Sequence, residues 1–175
     1  MDIEIRPVLP GEYEQVGELT VRAYAVLEVD HLFGGYDTDI RDVATRVKDA
    51  TVLVAVAGAE VVGAVTYVDR DGSRWLEWTE PGEAQFRLLA VSPIAQGGGV
   101  GEALARACME RAATAGRPLV IHTTRWMPAA RRLYDRLGFV RRPDRDVGYD
   151  VWSADVDDYP PEWAGEGFLA YTWTP

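Results

Sequence analysis

The segment at residues 92–101 holds the groups best suited to bind an anion. It reads Ser-Pro-Ile-Ala-Gln-Gly-Gly-Gly-Val-Gly and precedes a stretch with helical periodicity. The first N–H groups of a helix have no carbonyl partner inside the helix and lie at the positive end of its dipole, so they bind anions. Glycine permits positive φ and lets phosphate oxygens approach the backbone. We therefore predict a phosphate-binding turn here.

Two common phosphate-binding motifs do not fit this turn. A P-loop requires Lys followed by Ser or Thr after its last glycine, whereas Gly101 is followed by Glu102 and Ala103. The dinucleotide motif G-x-G-x-x-G would need its final glycine at Glu102 or Leu104. Both ligand classes are excluded, and a different phosphate-bearing ligand is expected.

Hydrophobic patterning predicts the elements that position the turn. Apolar runs predict strands at residues 3–8, 51–57, 61–68, 86–91, 118–123 and 168–173. Helical spacing predicts helices at residues 12–27, 37–48, 100–115 and 128–137. The turn joins the strand at 86–91 to the helix at 100–115, which leads into the strand at 118–123. A strand, helix, strand unit of this kind is a crossover between parallel strands. The sequence therefore predicts one α/β or α+β domain over residues 1–175 with a mixed sheet.

A second candidate segment is the helix predicted after the crossover, which carries Tyr134. Pro128 suits a first helical position, and Ala130, Leu133 and Leu137 form an apolar stripe along one face. Taken alone, Tyr134 has the spacing of a core aromatic residue.

Together, the two segments resemble the Gcn5-related N-acetyltransferases, the GNAT superfamily. Gln96-x-x-Gly99-x-Gly101 resembles that family's Q/R-x-x-G-x-G/A signature, and residues 127–139 resemble its A-x-x-L-Y-x-x-x-G-F helix. The resemblance covers almost the whole chain. It implies a mixed, mostly antiparallel sheet with one splayed pair of parallel strands and helices on both faces.

The resemblance also implies a reaction, in which a primary amine attacks the thioester of acetyl-CoA directly and no metal takes part. Tyr134 would give a proton to the departing thiolate. The pantetheine arm would lie along Leu89, Ala90 and Val91, with the Leu89 N–H on the acetyl carbonyl. The residues implied to hold the pyrophosphate are Gln96, Gly97, Gly98, Gly99, Val100 and Gly101.

Two positions depart from the family's pattern. Many members have Asn where this chain has Met127, so a side-chain hydrogen bond to the pantetheine arm is lost. Many members carry a catalytic Glu where this chain has Gln85, and an amide cannot take a proton at neutral pH. Glu83 lies two residues earlier on the same strand face and is the predicted general base. Glu77 and a water molecule are the alternatives.

Composition restricts the partners and the location. The chain has 28 acidic and 18 basic side chains, a net charge of −10. This charge argues against a nucleic-acid partner, which needs clustered Lys and Arg, and favours cations such as protonated amines. Cys108 is the only cysteine, the N-terminus lacks the features of a signal peptide, and no apolar run reaches the ~18 residues of a membrane span. We expect a cytoplasmic protein without a membrane partner, and a homodimer is left open.

Three functions stay in competition on the sequence alone. The first is an N-acetyltransferase for a small-molecule or peptide amine. The second is a sensor or regulatory module that binds coenzyme A without turnover, and the third is a toxin that acetylates aminoacyl-tRNA.

Residues 144–166 contribute −7 of the net charge. This acidic segment is predicted to attract cationic acceptors, the alternative being a solvated run that only aids solubility.

Overall fold

The computed structural model describes residues 2–25, 36–149 and 166–175. Its strands are β1 (Glu4–Pro7), β2 (Thr51–Ala57), β3 (Glu60–Val68), β4 (Ala84–Val91), β5 (Leu119–Thr123), β6 (Val140–Arg141), β7 (Val147–Gly148) and β8 (Gly167–Trp173). Its helices are α1 (Tyr13–Ala25), α2 (Tyr36–Arg41), α3 (Val43–Arg46), α4 (Val100–Ala115) and α5 (Pro128–Arg136). Short 3-10 turns lie at Pro10–Glu12, Pro93–Ala95 and Pro143–Arg145.

The strands form one sheet whose order is β1-β2-β3-β4-β5-β8-β6, with β7 also pairing with β8. Within the described residues, β4 and β5 are the only parallel neighbours, and the other pairs are antiparallel. The prediction of a mixed, mostly antiparallel sheet with one parallel pair is therefore confirmed.

Helices cover both faces of the sheet, as predicted. α4 and α5 pack on one face in a cluster that contains Phe86 and Ile121. α1 and α3 cover part of the other face, around Val54 and Ala90. Because the central strands are buried on both faces, β2 and β3 consist of nearly continuous apolar residues. Gly63 of β3 allows α4 to approach closely, since a Cβ there would lie 2.7 Å from Val100 Cγ1.

One predicted helix is two helices in the structure. The spacing at residues 37–48 predicts a single helix, whereas α2 ends at Arg41 and α3 begins at Val43. Asp42 separates them because its carboxylate accepts a hydrogen bond from the Thr45 N–H (2.9 Å) and so caps α3. The predicted helix at 12–27 begins at Tyr13, and its last two residues lie outside the described part.

Within the part of the chain that the structure describes, no helix is long and apolar enough to cross a membrane. No group of three or more His, Cys, Asp or Glu side chains in residues 2–25, 36–149 and 166–175 is arranged to hold a metal ion.

Candidate active site

The parallel strands β4 and β5 diverge and leave a gap in the sheet. They pair only at Ala84 with Leu119 and at Gln85 with Val120. Beyond these pairs β4 continues along β3, and β5 continues along β8. Among the described residues, the edge of β4 that faces β5 therefore has no strand partner from Phe86 onward. An extended ligand can lie in this gap and hydrogen-bond to a strand edge.

A β-bulge sits in β4 beside this gap. Ala64 and Thr66 of β3 are two residues apart, yet their partners Ala90 and Arg87 are three apart. The extra residue is accommodated at Leu88, which has φ 55°. The bulge resets the alternation of side chains, because Phe86 packs towards α4 and α5 whereas Leu88 packs towards α1 and α2. It thereby changes the direction of the backbone groups at the predicted acetyl position.

The glycine turn lies at the end of β4 and is exposed from residue 96 to residue 99. Gly97 and Gly99 have φ 77° and 81°, a conformation that favours glycine. The Ala103 N–H donates to the Gly99 carbonyl (2.9 Å). The N–H groups of the first helical turn before Ala103 therefore point out of the helix. A Cβ at Gly97 or Gly99 would meet no atom within 4 Å, so the space above the turn is open to a ligand.

The start of α4 packs between β4 and α5. A Cβ at Gly101 would lie 3.5 Å from Val91 Cγ2 and 3.8 Å from Leu133 Cδ2. The structure thus brings together the three predicted segments, which are residues 89–91, the glycine turn and the helix of Tyr134. The Gln96 and Gly98 N–H groups already donate to the Pro93 and Ala95 carbonyls (3.4 and 3.3 Å). The fit of the turn to a pyrophosphate therefore rests on the N–H groups at the start of α4 and on the space above the turn.

Tyr134 lies in an aromatic cluster at the inner side of the gap. Its ring centroid is 5.8 Å from that of Phe86, 5.8 Å from that of Phe139 and 6.0 Å from that of Tyr171. The side chain is only 5% exposed. Burial raises the pKa of its phenol above the ordinary value, so the hydroxyl keeps its proton at neutral pH. The group therefore carries a proton to donate, although burial makes it a weaker acid than an exposed phenol.

Glu83, the predicted general base, forms an ion pair with Arg145. Both carboxylate oxygens accept hydrogen bonds from the guanidinium (2.7 Å each), and one also accepts the Glu80 N–H (2.7 Å). Burial raises the pKa of Glu83, but the hydrogen bond from Arg145 and the Glu80 N–H outweigh it and hold the pKa below its usual range. A carboxylate held in this way is a weak proton acceptor, and the geometry favours a structural role for Glu83.

Gln85 has a different set of partners. Its Oε1 accepts the Glu77 N–H (3.1 Å), and its Nε2 donates to the Glu77 carbonyl (3.1 Å). Nε2 also lies 3.4 Å from Nδ1 of His122 on β5. The amide therefore fixes the loop before β4 against the end of the β4–β5 pairing.

His122 is held neutral in this setting. Burial, with a smaller contribution from the positive charge of Arg145, lowers the pKa of the imidazole to about 4. Its ring packs edge-on against Trp78 at 5.2 Å, and Trp78 packs against Phe168 at 5.1 Å. These contacts make the His122 ring part of an aromatic cluster with Trp78 and Phe168.

The pKa of His122 predicts a dependence of stability on pH. An unfolded His titrates near ~6.5, so the unfolded chain binds this proton more readily than the folded one. The free energy of unfolding should therefore fall as the pH drops below ~6.5, by up to ~1.4 kcal/mol per pH unit. Urea unfolding between about pH 7 and about pH 5 measures this slope.

His122→Asn should flatten the slope, because it removes the group whose pKa differs between the folded and unfolded chain. A parent protein and a His122→Asn variant with the same slope would contradict the assignment.

Two residues near the site were not singled out from the sequence. Arg145 neutralises Glu83, and the available signal was that it is the single base within the acidic segment. Trp78 has φ 55°, which is rare for a bulky residue, and its carbonyl accepts a hydrogen bond from Arg145 (3.4 Å). No pattern in the sequence indicates this backbone conformation.

Only the two ends of the acidic segment belong to the described residues. There, Asp144 pairs with Arg142, Asp146 with Arg141 and Glu166 with Arg125. These arginines lie outside residues 144–166, so the described acids are locally neutralised. Asp155, Asp157 and Asp158 lie outside the described residues, and their predicted effect on acceptors stays a prediction.

The sequence matches the acetyltransferase (GNAT) family over residues 15–139, and the chain belongs to this family. This finding confirms the resemblance inferred from the glycine turn and the Tyr134 helix. The comparison with curated proteins gives no match.

Solved structures with the same fold cover nearly the full chain. A protein described as histone acetyltransferase HPA2 and related acetyltransferase, from Corynebacterium glutamicum, is 20% identical with a TM-score of 0.73, over 100% of this chain and 97% of that one. A GNAT-family protein from Desulfovibrio desulfuricans is 21% identical with a TM-score of 0.69, over 99% of both chains. yncA from Salmonella typhimurium, solved with acetyl-CoA, is 19% identical with a TM-score of 0.66. The match covers 99% of this chain and 94% of that one. At these identities the likeness shows the fold.

Proposed function

We propose that this protein is an N-acetyltransferase that moves the acetyl group of acetyl-CoA directly to an amine. The observation that carries the proposal is the gap between β4 and β5, with the open N–H groups of the glycine turn at one end and Tyr134 beside it. Family membership supports acetyl transfer in general. The structure of yncA with acetyl-CoA supports the choice of donor.

Each part of the site has a role in this proposal. The backbone of residues 96–101 holds the pyrophosphate at the start of α4. Leu89, Ala90 and Val91 bind the pantetheine arm along the free edge of β4, and the Leu89 N–H polarises the acetyl carbonyl. Tyr134 gives its proton to the sulfur as the bond to the acetyl carbon breaks, which contributes roughly 10²-fold or somewhat more.

The net charge of the chain supports a class of acceptor. The net charge of −10 favours a cationic acceptor, a small-molecule or peptide amine, over a nucleic acid. The single cysteine, Cys108, is buried, which is compatible with a cytoplasmic enzyme. Tyr134 supports catalysis over the alternative of a coenzyme A sensor, because a sensor needs no proton donor at this position.

Replacement of glycine in the turn tests the donor site. Acetyl-CoA should raise the melting temperature, because a ligand that binds only the folded state stabilises it. Gly99→Val and Gly101→Val should each reduce this shift. A side chain at Gly99 enters the open space above the turn, and one at Gly101 crowds the contact of the helix start with Val91 and Leu133.

Gly72→Val is the matched control for backbone strain. Gly72 has φ 80° and open space around it, as Gly99 does. It lies in the β3–β4 turn, beside Asp71, which pairs with Arg117 just beyond the C-terminal end of α4 (2.9 Å). This variant should lose stability but keep the full acetyl-CoA shift. A shift that survives both Gly99→Val and Gly101→Val would show that the donor binds elsewhere.

A further inference from the structure

The proposed reaction needs a group that removes a proton from the acceptor. A primary amine is mostly an ammonium ion at neutral pH, and only the neutral nitrogen has the lone pair that attacks the thioester. General bases contribute about 10²- to 10⁴-fold to such steps. The position that often supplies a carboxylate in this family is Gln85, which has no basic oxygen or nitrogen at neutral pH. Another group must therefore take the proton.

The hydrogen bonds of Gln85 lead to Glu77. Both polar atoms of the Gln85 amide bind the Glu77 backbone, one as acceptor and one as donor. This pair of bonds fixes the main chain of Glu77 beside the last residue of the β4–β5 pairing. The residue at the family's base position thus holds a carboxylate-bearing residue of the neighbouring loop in place.

The Glu77 carboxylate reaches along β4 towards the bulge. Its Oε1 lies 2.9 Å from Nη1 of Arg87, which is on the same strand face as Gln85 and two residues before Leu89. The Glu77 side chain is 30% exposed and that of Arg87 is 14% exposed. One carboxylate oxygen is thus held by the guanidinium, and the side chain remains partly exposed to solvent.

Glu83 lies just before β4, far from Leu89 and the predicted acetyl position, and is poorly placed to act as the base. It precedes Leu89 by six residues, which corresponds to about 20 Å along an extended chain. Both of its oxygens are bound by Arg145. His122, with its pKa lowered to about 4, is a weak base and contacts Gln85. The charged or titratable groups on this side of β4 among the described residues include Glu77, Arg87, His122 and the Glu83–Arg145 pair. Arg46 and Arg74 also lie there, stacked on the Trp75 ring beside Arg87.

We propose that Glu77 is the general base of the acetyl transfer, an inference that rests on the proposed function. Its carboxylate takes one proton from the acceptor ammonium, directly or through one water. The freed nitrogen lone pair forms the C–N bond to the acetyl carbon. The C–S bond breaks, its electron pair goes to sulfur, and Tyr134 supplies the proton that makes the thiol. The second nitrogen proton passes to solvent water as the amide forms. Glu77 then gives its proton to solvent and Tyr134 regains one, so that one proton is released for each acetyl group transferred.

The test is the pH profile of Glu77→Gln. The amide keeps the size of the side chain and an oxygen for Arg87. At about pH 7 we expect kcat/KM for a primary amine to fall roughly 10²-fold. The loss should shrink steadily towards about pH 9.5, because more of the amine is then already neutral. The thermal shift by acetyl-CoA should match that of the parent protein, which shows that the donor site is intact.

Two further variants sharpen the test. Glu80→Gln, which changes an exposed carboxylate of the same loop, should leave the whole profile unchanged. Glu83→Gln should lower stability while its remaining activity keeps the parent's pH dependence. A Glu77→Gln profile of kcat/KM that stays parallel to the parent's at every pH would overturn the proposal. So would a Glu83→Gln variant whose kcat/KM, low at about pH 7, recovers towards about pH 9.5. A parent protein that binds acetyl-CoA but acetylates no amine would instead overturn the proposed function itself.

Discussion

Tyr134→Phe is expected to lower kcat by roughly 10²-fold while leaving acetyl-CoA binding nearly intact. The ring keeps its contacts with Phe86, Phe139 and Tyr171, so the fold around it should persist. Only the hydroxyl is lost. Because burial raises the pKa of this phenol, its hydroxyl stays protonated throughout the neutral range. Thiol release under saturating donor and acceptor measures kcat, and the thermal shift by acetyl-CoA measures donor binding.

Tyr171→Phe is the matched control. Tyr171 is also buried, at 3% exposed, and its ring neighbours that of Tyr134. This variant removes a hydroxyl from the same cluster and should leave kcat unchanged. If Tyr134→Phe keeps the parent's kcat when chemistry limits the rate, Tyr134 is a core aromatic residue and the acid must be sought elsewhere.

Arg145→Met is expected to cost about 3–5 kcal/mol of unfolding free energy, since it leaves the buried Glu83 carboxylate without its partner. The pair's contribution also depends on pH. Because the pKa of Glu83 is lowered in the folded state, the stabilisation is present above the ordinary carboxyl pKa of about 4.3 and is lost as the pH falls through the folded value. Urea unfolding at about pH 7 and in acid should show the difference between variant and parent shrinking in acid.

Arg142→Met provides the comparison with an exposed ion pair. Arg142 binds Asp144 in the same 3-10 turn region, with side chains that are 41% and 61% exposed. Exposed pairs contribute about 0–1 kcal/mol, so this variant should be close to the parent. Equal losses from Arg145→Met and Arg142→Met would contradict the structural role assigned to the Glu83 pair.

The sequence was sufficient to predict the parts of the fold that depend on local patterns. β2 and β3 are continuous apolar runs because both of their faces are buried. The apolar residues of α4 recur at helical spacing because one face of the helix packs on the sheet. Hydrophobic spacing predicts a single helix at 37–48 because it does not reflect the cap that Asp42 forms. The sequence also does not predict the bulge at Leu88. The positive φ of this leucine results from strand pairing and is not indicated by the residue type.

The candidate site also has parts that the sequence predicts and parts that it does not. The glycine turn and Tyr134 lie in short motifs, so the sequence indicated both. The environment of a carboxylate depends on residues distant in sequence, and 62 positions separate Glu83 from Arg145. For that reason Glu83 could be chosen as the base by strand alternation alone, whereas its ion pair and the link from Gln85 to Glu77 required the three-dimensional structure.

The central claim is that the acetyl group passes directly to the amine in the gap between β4 and β5. Initial rates of thiol release, measured at crossed concentrations of acetyl-CoA and a primary amine, test it most directly. Direct transfer predicts release that requires the amine, saturates with both substrates and gives intersecting double-reciprocal lines. Parallel lines, or thiol release with acetylated protein in the absence of amine, would indicate a covalent intermediate and contradict the account.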